Sequence, residues 1–271
     1  MPDESIISGL CEPSQPSPNG VELRTFVSGH CGAKGFSTGT ATFKANALLP
    51  YHLHDCSEAI TILAGIGTVV VDGRGYRLER LDCMHIPAGV PHLVQNTQAD
   101  AALLAHWSFA SPEPNRTYTG SRESFEDRGS RNPEPGDPEH LNRFAAAAIY
   151  ELAGGAWFCD LFAKRFGSVG ICGGYGRFTK GSSLPCHTHA YDESITILGG
   201  SATCLVQGAR YELSGFYNAF VPQGKPHRFL NSGESEMEML WVYAGDEPDR
   251  AVVDNQYCSG LLAWPKAVPL A

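Results

Sequence analysis

The sequence lacks an apolar run of roughly eighteen residues, the length at which a membrane-spanning helix becomes a candidate. Its first residues, Met1 to Ser5, carry neither the basic charges nor the apolar stretch of a secretory signal. We therefore expect a soluble, cytoplasmic protein without a signal peptide and without a membrane as partner.

Basic residues are also few, with 20 Lys and Arg against 29 Asp and Glu, which gives a formal net charge of −9. No basic stripe or pair of DNA-reading helices is apparent in the sequence. Because nucleic-acid binding depends on positive charge that neutralises phosphates, we expect no nucleic-acid partner.

The nine cysteines form no CxxC pair, and their number is odd. Disulfide frameworks are typical of small secreted domains with evenly paired cysteines. The pattern therefore favours reduced thiols over a disulfide framework.

What the sequence does contain is typical of a globular β protein. Hydrophobic residues make up 42% of the chain and charged residues 18%, with 30 glycines and 18 prolines available for turns. Many short apolar stretches separated by such turn residues predict an all-β fold.

One stretch of sequence occurs twice. The first copy reads PYHLHDCSE over residues 50–58 and PAGVPHLVQN over 87–96. The second reads PCHTHAYDE over residues 185–193 and PQGKPHRFLN over 222–231. Paired positions keep one offset, since 187 − 52 and 227 − 92 are both 135. The repeat indicates two domains of one kind.

The spacing within each copy predicts a metal site. His52 and His54 point to the same side of a strand because side chains alternate between its faces, and Glu58 has the same parity. His92 reaches them from another strand after a Pro-x-Gly turn. The predicted ligands are His52, His54, Glu58 and His92 in the first copy and His187, His189, Glu193 and His227 in the second.

Three imidazoles and one carboxylate suit a divalent transition metal and leave about two octahedral positions open. We expect one ion per domain. Iron and manganese are the favoured ions, and nickel, cobalt, copper and zinc are the alternatives.

Gly65 and Gly200 complete the pattern HxHxxxExxxxxxG, which is followed in each copy by PxGxxHxxxN. This pair of motifs resembles the two motifs of the cupin superfamily, and two such pairs resemble a bicupin. The resemblance covers residues 20–118 and 155–252, and it implies two tandem jelly-roll β-barrels.

From these patterns we place an N-terminal barrel with an extended arm at residues 1–118, a linker at 119–145 and a C-terminal barrel with a tail at 146–271. We expect the arm to pack on a partner surface or to fray. A capping Asp-Pro pair and four consecutive alanines predict a short helix near the linker, over Glu139–Leu152.

An open-sided metal favours a non-haem dioxygenase acting on a small enol, diketone or phenolic substrate. In that mechanism Glu58 and Glu193 serve as ligands and also as catalytic residues that take a substrate proton. The alternatives are an oxygen-independent isomerase, decarboxylase or lyase that uses the metal as a Lewis acid, and a non-catalytic module that binds a small molecule.

A few other residues have two interpretations. His85 and His106 occur only in the first copy and are either acid/base groups or strand histidines bonded to a neighbour. Arg116 recurs as Arg250; both either anchor the chain ends by ion pairs or bind a substrate carboxylate. Alternation places Cys186 away from the metal, which predicts a packing role. The exposed edges of the barrels make a homodimer a further expectation.

Overall fold

The computed structural model describes residues 3–9, 15–16, 19–120 and 124–265. Parts of the expected N-terminal arm, the three linker residues 121–123 and the end of the tail from residue 266 lie outside the described residues. None of the helices in the described ranges is long and apolar enough to cross a bilayer.

The first half of the chain is built almost entirely of short strands. They are β1 (Ser5–Ser8), β2 (Gln15–Pro16), β3 (Val21–Val27), β4 (Ser37–Phe43), β5 (Leu48–Leu53), β6 (Glu58–Ala64), β7 (Gly67–Val71), β8 (Arg74–Leu78), β9 (Cys83–Ile86), β10 (His92–Asn96), β11 (Leu103–Phe109), β12 (Thr117–Tyr118) and β13 (Glu126–Gly129).

The second half repeats this arrangement and ends with a single turn of α-helix, α1 (Asn255–Cys258). Its strands are β14 (His140–Asn142), β15 (Tyr150–Ala153), β16 (Ala156–Phe162), β17 (Cys172–Phe178), β18 (His187–Thr188), β19 (Glu193–Gly199), β20 (Ser201–Val206), β21 (Ala209–Ser214), β22 (Tyr217–Val221), β23 (His227–Asn231), β24 (Met237–Tyr243) and β25 (Ala251–Val252).

The strands form two barrels, each made of a larger and a smaller sheet. In the first barrel, the strand order of the larger sheet is β14-β9-β6-β11-β4-β3-β2, and that of the smaller sheet is β12-β5-β10-β7-β8-β13. The second combines β1-β22-β19-β24-β17-β16-β15 with β21-β20-β23-β18-β25. Alternating apolar side chains from both sheets, such as Ile62 with Val69 and Ile197 with Cys204, fill each interior. The structure confirms the predicted all-β architecture of two jelly-roll barrels.

Strands from outside the two repeats complete the edges of both barrels. The N-terminal strand β1 pairs with β22 of the second barrel, and β14, which follows the linker, pairs with β9 of the first barrel. Both additions cover an edge whose N–H and C=O groups would otherwise lack partners. The expectation that the arm packs on another molecule or frays is therefore wrong for the described residues Ser5–Ser8.

The α-helix predicted over Glu139–Leu152 is also wrong. This segment forms β14, a single 3-10 turn at Phe144–Ala146 and then β15. Asp82 accepts hydrogen bonds from the Phe144 N–H and the Arg143 guanidinium at 3.0 and 2.8 Å, which fixes the turn against the first barrel. Pairing of β15 with β16 then outweighs the helix propensity of the alanines.

The larger sheets of the two barrels pack against each other through their outer faces. Phe36 and Ala59 of the first barrel lie in one apolar cluster with Ile171, Phe220 and Leu240 of the second. We call this cluster the inter-barrel layer.

His85 and His106 lie on the same strand faces as Cys83 and Leu104, which contribute to this layer, rather than at the metal ligands. On β9 the neighbours of His85, Met84 and Ile86, point into the barrel, so His85 points outwards. His106 alternates in the same way with Ala105 and Trp107 on β11. An acid/base role at the metal is therefore wrong for both histidines.

Both histidines are buried and neutral. Burial lowers the pKa of His106 to about 3; burial, followed by the nearby charge of His140, lowers the pKa of His85 to about 4. In the unfolded chain, histidine has a pKa near 6.5. As the pH falls below that value, the two histidines therefore become protonated in the unfolded chain before they do so in the folded protein. Stability is therefore fully present above pH 6.5 and is lost towards pH 4.

We expect the double variant His85→Phe, His106→Leu to resist acid better than the wild type. Both substitutions copy residues of the second barrel, Phe220 and Leu240. In the wild type, each histidine should lower the unfolding free energy by about 3 kcal/mol between pH 6.5 and 4. The variant should not show this decrease. Urea unfolding at a series of pH values measures this loss, and an identical pH dependence in both proteins would contradict the assignment.

Candidate metal centres

The structure brings the predicted ligands together in both barrels. In the first barrel the ligand atoms of His52, His54, Glu58 and His92 all lie within 4.8 Å of one another, and all four residues are buried. The same holds for His187, His189, Glu193 and His227 in the second barrel. Strand register accounts for this, since His52 pairs with His92 across β5 and β10, and His187 pairs with His227 across β18 and β23.

Backbone carbonyls fix the orientation of the imidazoles. In the first barrel Nδ1 of His52 lies 2.6 Å from the Pro50 carbonyl and Nδ1 of His92 lies 3.0 Å from the Val90 carbonyl. Nδ1 of His54 is held by the Asn115 carbonyl. Since Nδ1 donates to a carbonyl, Nε2 of each ring is the lone-pair atom that remains for a metal.

The second barrel repeats this arrangement at each histidine. Nδ1 of His187 lies 2.8 Å from the Pro185 carbonyl, and Nδ1 of His227 lies 2.9 Å from the Lys225 carbonyl. The Asp249 carbonyl, at the position of Asn115 in the first barrel, holds Nδ1 of His189.

The atoms that face the centre of the first barrel lack hydrogen bonds. Nε2 of His52, His54 and His92 and Oε2 of Glu58 are buried without a hydrogen-bond partner among the described residues. His92 Nε2 and Glu58 Oε2 are 2.8 Å apart, which is ion-pair distance without hydrogen-bond geometry. Buried polar atoms left unpaired are costly. A divalent cation bound by all four atoms removes that cost, so the residues present fit a metal.

The protonation states also suit a metal. Burial by itself raises the pKa of Glu58, but the close contact with His92 and then the charge of His54 hold it at about 2. Burial, together with the charge of His92, lowers the pKa of His52 to about 3. The pKa of Glu193 is likewise held well below its usual range, against the effect of burial, by His189 and His227. Burial likewise lowers the pKa of His187 well below its usual range. At neutral pH the two centres therefore present ionised carboxylates at Glu58 and Glu193 and neutral imidazoles at His52 and His187, the forms that bind metal.

A cavity opens beside each ligand set. The first has a volume of about 310 Å³, and its lining includes His54, Trp107, Phe109, Glu113 and Arg116. The second has a volume of about 290 Å³, and its lining includes Tyr150, Asp160, Trp241, Tyr243 and Arg250. Both volumes suit a small molecule rather than a polymer.

The two recurrent arginines line these cavities. Nε of Arg116 and Nε of Arg250 are buried and have no hydrogen-bond partner among the described residues. No ion pair with a described carboxylate anchors either guanidinium. The chain-end ion pairs considered from the sequence are therefore wrong, whereas the position of each arginine suits an anion in the cavity.

Two tryptophans were missed as site residues by sequence reasoning. Trp107 and Trp241 line the two cavities, and their buried indole N–H groups have no acceptor among the described residues. Their recurrence at equivalent positions was the available signal. It could not be separated from a packing role, because a repeated tryptophan on an inward-facing position is also typical of a core.

Comparison with known proteins agrees with these observations. The family model described as "Cupin domain" matches residues 39–108 and 174–243, which together are more than half of the chain. The chain belongs to the cupin family. No curated protein sequence matches this bicupin significantly.

Solved structures similar to this bicupin include oxalate decarboxylases. The enzyme from Lactobacillus farciminis, in a formate complex, has a TM-score of 0.74 and 14% identity, covering 92% of this chain and 88% of that chain. The enzyme from Bacillus subtilis at pH 4.6 has a TM-score of 0.71 and 14% identity, covering 92% of this chain and 78% of that chain. A further Bacillus subtilis structure, whose Mn(II) centres were studied, has a TM-score of 0.72 and 14% identity, covering 92% and 79% of the two chains. At this identity the likeness establishes the fold.

A disulfide lies next to the second metal centre of the bicupin. Cys186 is bonded to Cys258 across 72 residues, with a Cα–Cα distance of 5.9 Å. The bond attaches α1 to the residue preceding His187. The expectation of reduced thiols and the packing role of Cys186 are therefore wrong for this pair. The sequence did not reveal it because the partner lies in the tail, far along the chain.

Proposed function

We propose that this bicupin is a metal-dependent enzyme that acts on a small carboxylate substrate, with cleavage by decarboxylation as the reaction class. The observation that carries the proposal is the unpaired, buried guanidinium Nε beside each ligand set. A guanidinium presents several N–H donors in a planar fork that matches a carboxylate.

The charges of the site favour an anion. Each ligand set contains a single carboxylate, Glu58 or Glu193, which neutralises only part of the charge of a divalent cation. Arg116 or Arg250 adds a further positive charge in the adjoining cavity. Of the acidic residues in the linings, Asp160 is paired with Arg165 at 2.6 Å and Glu113 is exposed. The buried N–H groups of Trp107 and Trp241 supply donors without charge. A negatively charged, oxygen-rich substrate is the complement of this environment.

The metal, the arginine and the glutamate of each centre have different roles in the proposed decarboxylation. When bound, a divalent metal supplies a Lewis acid that draws electron density from a substrate oxygen. The arginine orients the substrate carboxylate in the cavity beside the ligand set. In decarboxylation the bond from this carboxylate to its neighbouring carbon breaks, carbon dioxide leaves, and the electron pair stays on that carbon until a proton arrives. Glu58 and Glu193 complete the ligand sets, and the proton-accepting role predicted for them stays a prediction.

The choice of decarboxylation over dioxygenation rests on two supports. The solved structures reported above, which each cover 92% of this chain, are named as oxalate decarboxylases. The unpaired Nε of each arginine also suits a carboxylate substrate. The enol, diketone or phenol expected from the sequence does not require such a donor. None of the reported comparisons supports the dioxygenase.

The test is turnover of a panel of small mono- and dicarboxylates, beginning with oxalate, by the Mn(II)-loaded protein. Carbon-13 NMR follows the substrate and products, a coupled assay follows carbon dioxide, and an oxygen electrode follows dioxygen. We expect carbon dioxide and a shortened product with no net oxygen uptake. Stoichiometric oxygen uptake would overturn the proposal in favour of the dioxygenase, and binding without turnover would overturn it in favour of a non-catalytic module.

A further inference from the structure

The aromatic ring packed against the second ligand histidine carries a hydroxyl group in only one of the two metal centres. At equivalent positions, the ring of Phe109 lies 4.6 Å from that of His54, and the ring of Tyr243 lies 4.4 Å from that of His189. Both rings also contact the recurrent tryptophan of their cavity, at 5.3 and 5.1 Å between centroids. The aromatic frame is thus conserved between the barrels, and only the second barrel places a phenol in it.

The hydroxyl lies on the metal-facing side of the ligand set. Tyr243 Oη is 3.3 Å from Nε2 of His189, the ring nitrogen that remains for a metal because Nδ1 is held by the Asp249 carbonyl. Arg250 lines the same cavity as this hydroxyl. Tyr243 is 2% exposed and lines the second cavity. The phenol therefore sits where the ligand set, the guanidinium and the cavity meet.

A packing role accounts for the ring but not for the hydroxyl. Phe109 fills the equivalent position of the first barrel with the same contacts and no polar atom. Burying a hydroxyl is costly unless it is hydrogen-bonded. Once Nε2 of His189 binds a metal it no longer accepts a hydrogen bond, so the phenol O–H is then free to donate to another oxygen.

We propose that Tyr243 donates a hydrogen bond to a second oxygen of the substrate, whose carboxylate is held by Arg250. This inference rests on the proposed function and narrows it. The substrate class is a carboxylate with an oxygen on the adjacent carbon, namely a 2-oxo acid or a 1,2-dicarboxylate. The second barrel holds the site that selects and turns over this class. The first barrel, which lacks the phenol, binds it weakly.

Tyr243→Phe makes the second barrel resemble the first, and Phe109→Tyr supplies the missing hydroxyl to the first barrel. Titration calorimetry of the Mn(II)-loaded proteins with oxalate, and with acetate as the single-carboxylate probe, measures selectivity without turnover. We expect one tight oxalate site per wild-type chain. Tyr243→Phe should weaken it about 10- to 100-fold, the range for a hydrogen bond to a charged group, with acetate affinity and metal content unchanged. Phe109→Tyr should produce a second tight oxalate site.

Turnover provides the second readout. Tyr243→Phe should lower kcat/KM for the carboxylate substrate by the same factor as the oxalate affinity, and Tyr257→Phe, in the C-terminal helix, is the control for loss of a phenol elsewhere. Wild-type oxalate affinity in Tyr243→Phe would overturn the inference, as would joint loss of metal and both probes, which indicates a structural role. Oxalate selectivity that depends on Tyr243 without any turnover would uphold the inference for binding and reject the proposed reaction.

Discussion

Replacing Arg250 with methionine is expected to lower kcat/KM for the carboxylate substrate about 100-fold, while both metal ions stay bound. Methionine keeps much of the length of the side chain but removes the charge and all N–H donors. Truncating one partner of a buried, charge-assisted pair costs about 2–5 kcal/mol, which corresponds to this range of rates. Steady-state kinetics, with metal analysis of the same sample, measures the effect.

The matched control for this variant is Arg177→Met. Arg177 is a surface arginine that lies 5.4 Å from the ring of Trp157 and 3.8 Å from Glu236, outside both metal cavities. We expect this protein to keep wild-type kinetics. Added guanidinium ion should restore part of the activity of Arg250→Met, because the cavity left by the side chain can admit it. Wild-type kcat/KM in Arg250→Met would remove the main support for a carboxylate substrate.

Loss of the Cys186–Cys258 disulfide is expected to lower the unfolding free energy by about 4 kcal/mol, the chain-entropy value for a loop of this length. The bond also holds the segment that pairs with the ligand strand, since the Val253 N–H donates to the Cys186 carbonyl at 2.8 Å and β25 pairs with β18. We therefore expect metal affinity to fall in the second barrel and not in the first.

The comparison uses the double variant Cys186→Ala, Cys258→Ala and the wild type, each with and without a reducing agent. Urea unfolding should show the loss of stability in the reduced wild type and in the variant. The variant itself should not respond to the reducing agent, because the six other described cysteines are free. Equal unfolding midpoints of the oxidised and reduced wild type would contradict a stabilising disulfide.

The ligand sets could be predicted from the sequence because their geometry is local. Alternation along one strand fixes His52 relative to His54, and a short turn brings Glu58 back to the same face. Only His92 required a pairing between strands, and the repeat supplied independent evidence for it.

The features that the sequence did not reveal depend on contacts between distant segments. Pairing of β1 with β22 joins Ser5 to Phe220, 215 positions along the chain, and nothing in the sequence Ser5–Ser8 specifies its partner. The linker residues near Phe144 have high helix propensity, yet Asp82 and strand β16 determine their conformation. Arg116 and Arg250 were identified by recurrence, but their missing ion pairs could be seen only in the structure.

The assignments not tested by the structure stay predictions. These are the domain boundaries at residues 118 and 146 and the homodimer. The edge strand β15 and the preceding Ile149 carry exposed apolar side chains, with Ile149 64% exposed, and this edge is where we expect a second copy to pair.

The account depends most on metal binding by both quartets. Metal analysis by inductively coupled plasma mass spectrometry, after loading with Mn(II) and dialysis, tests it directly. We predict close to two ions per wild-type chain and close to one in each of the variants His54→Ala and His189→Ala. A wild-type chain that retains no metal, or single variants that retain two ions, would contradict the central claim.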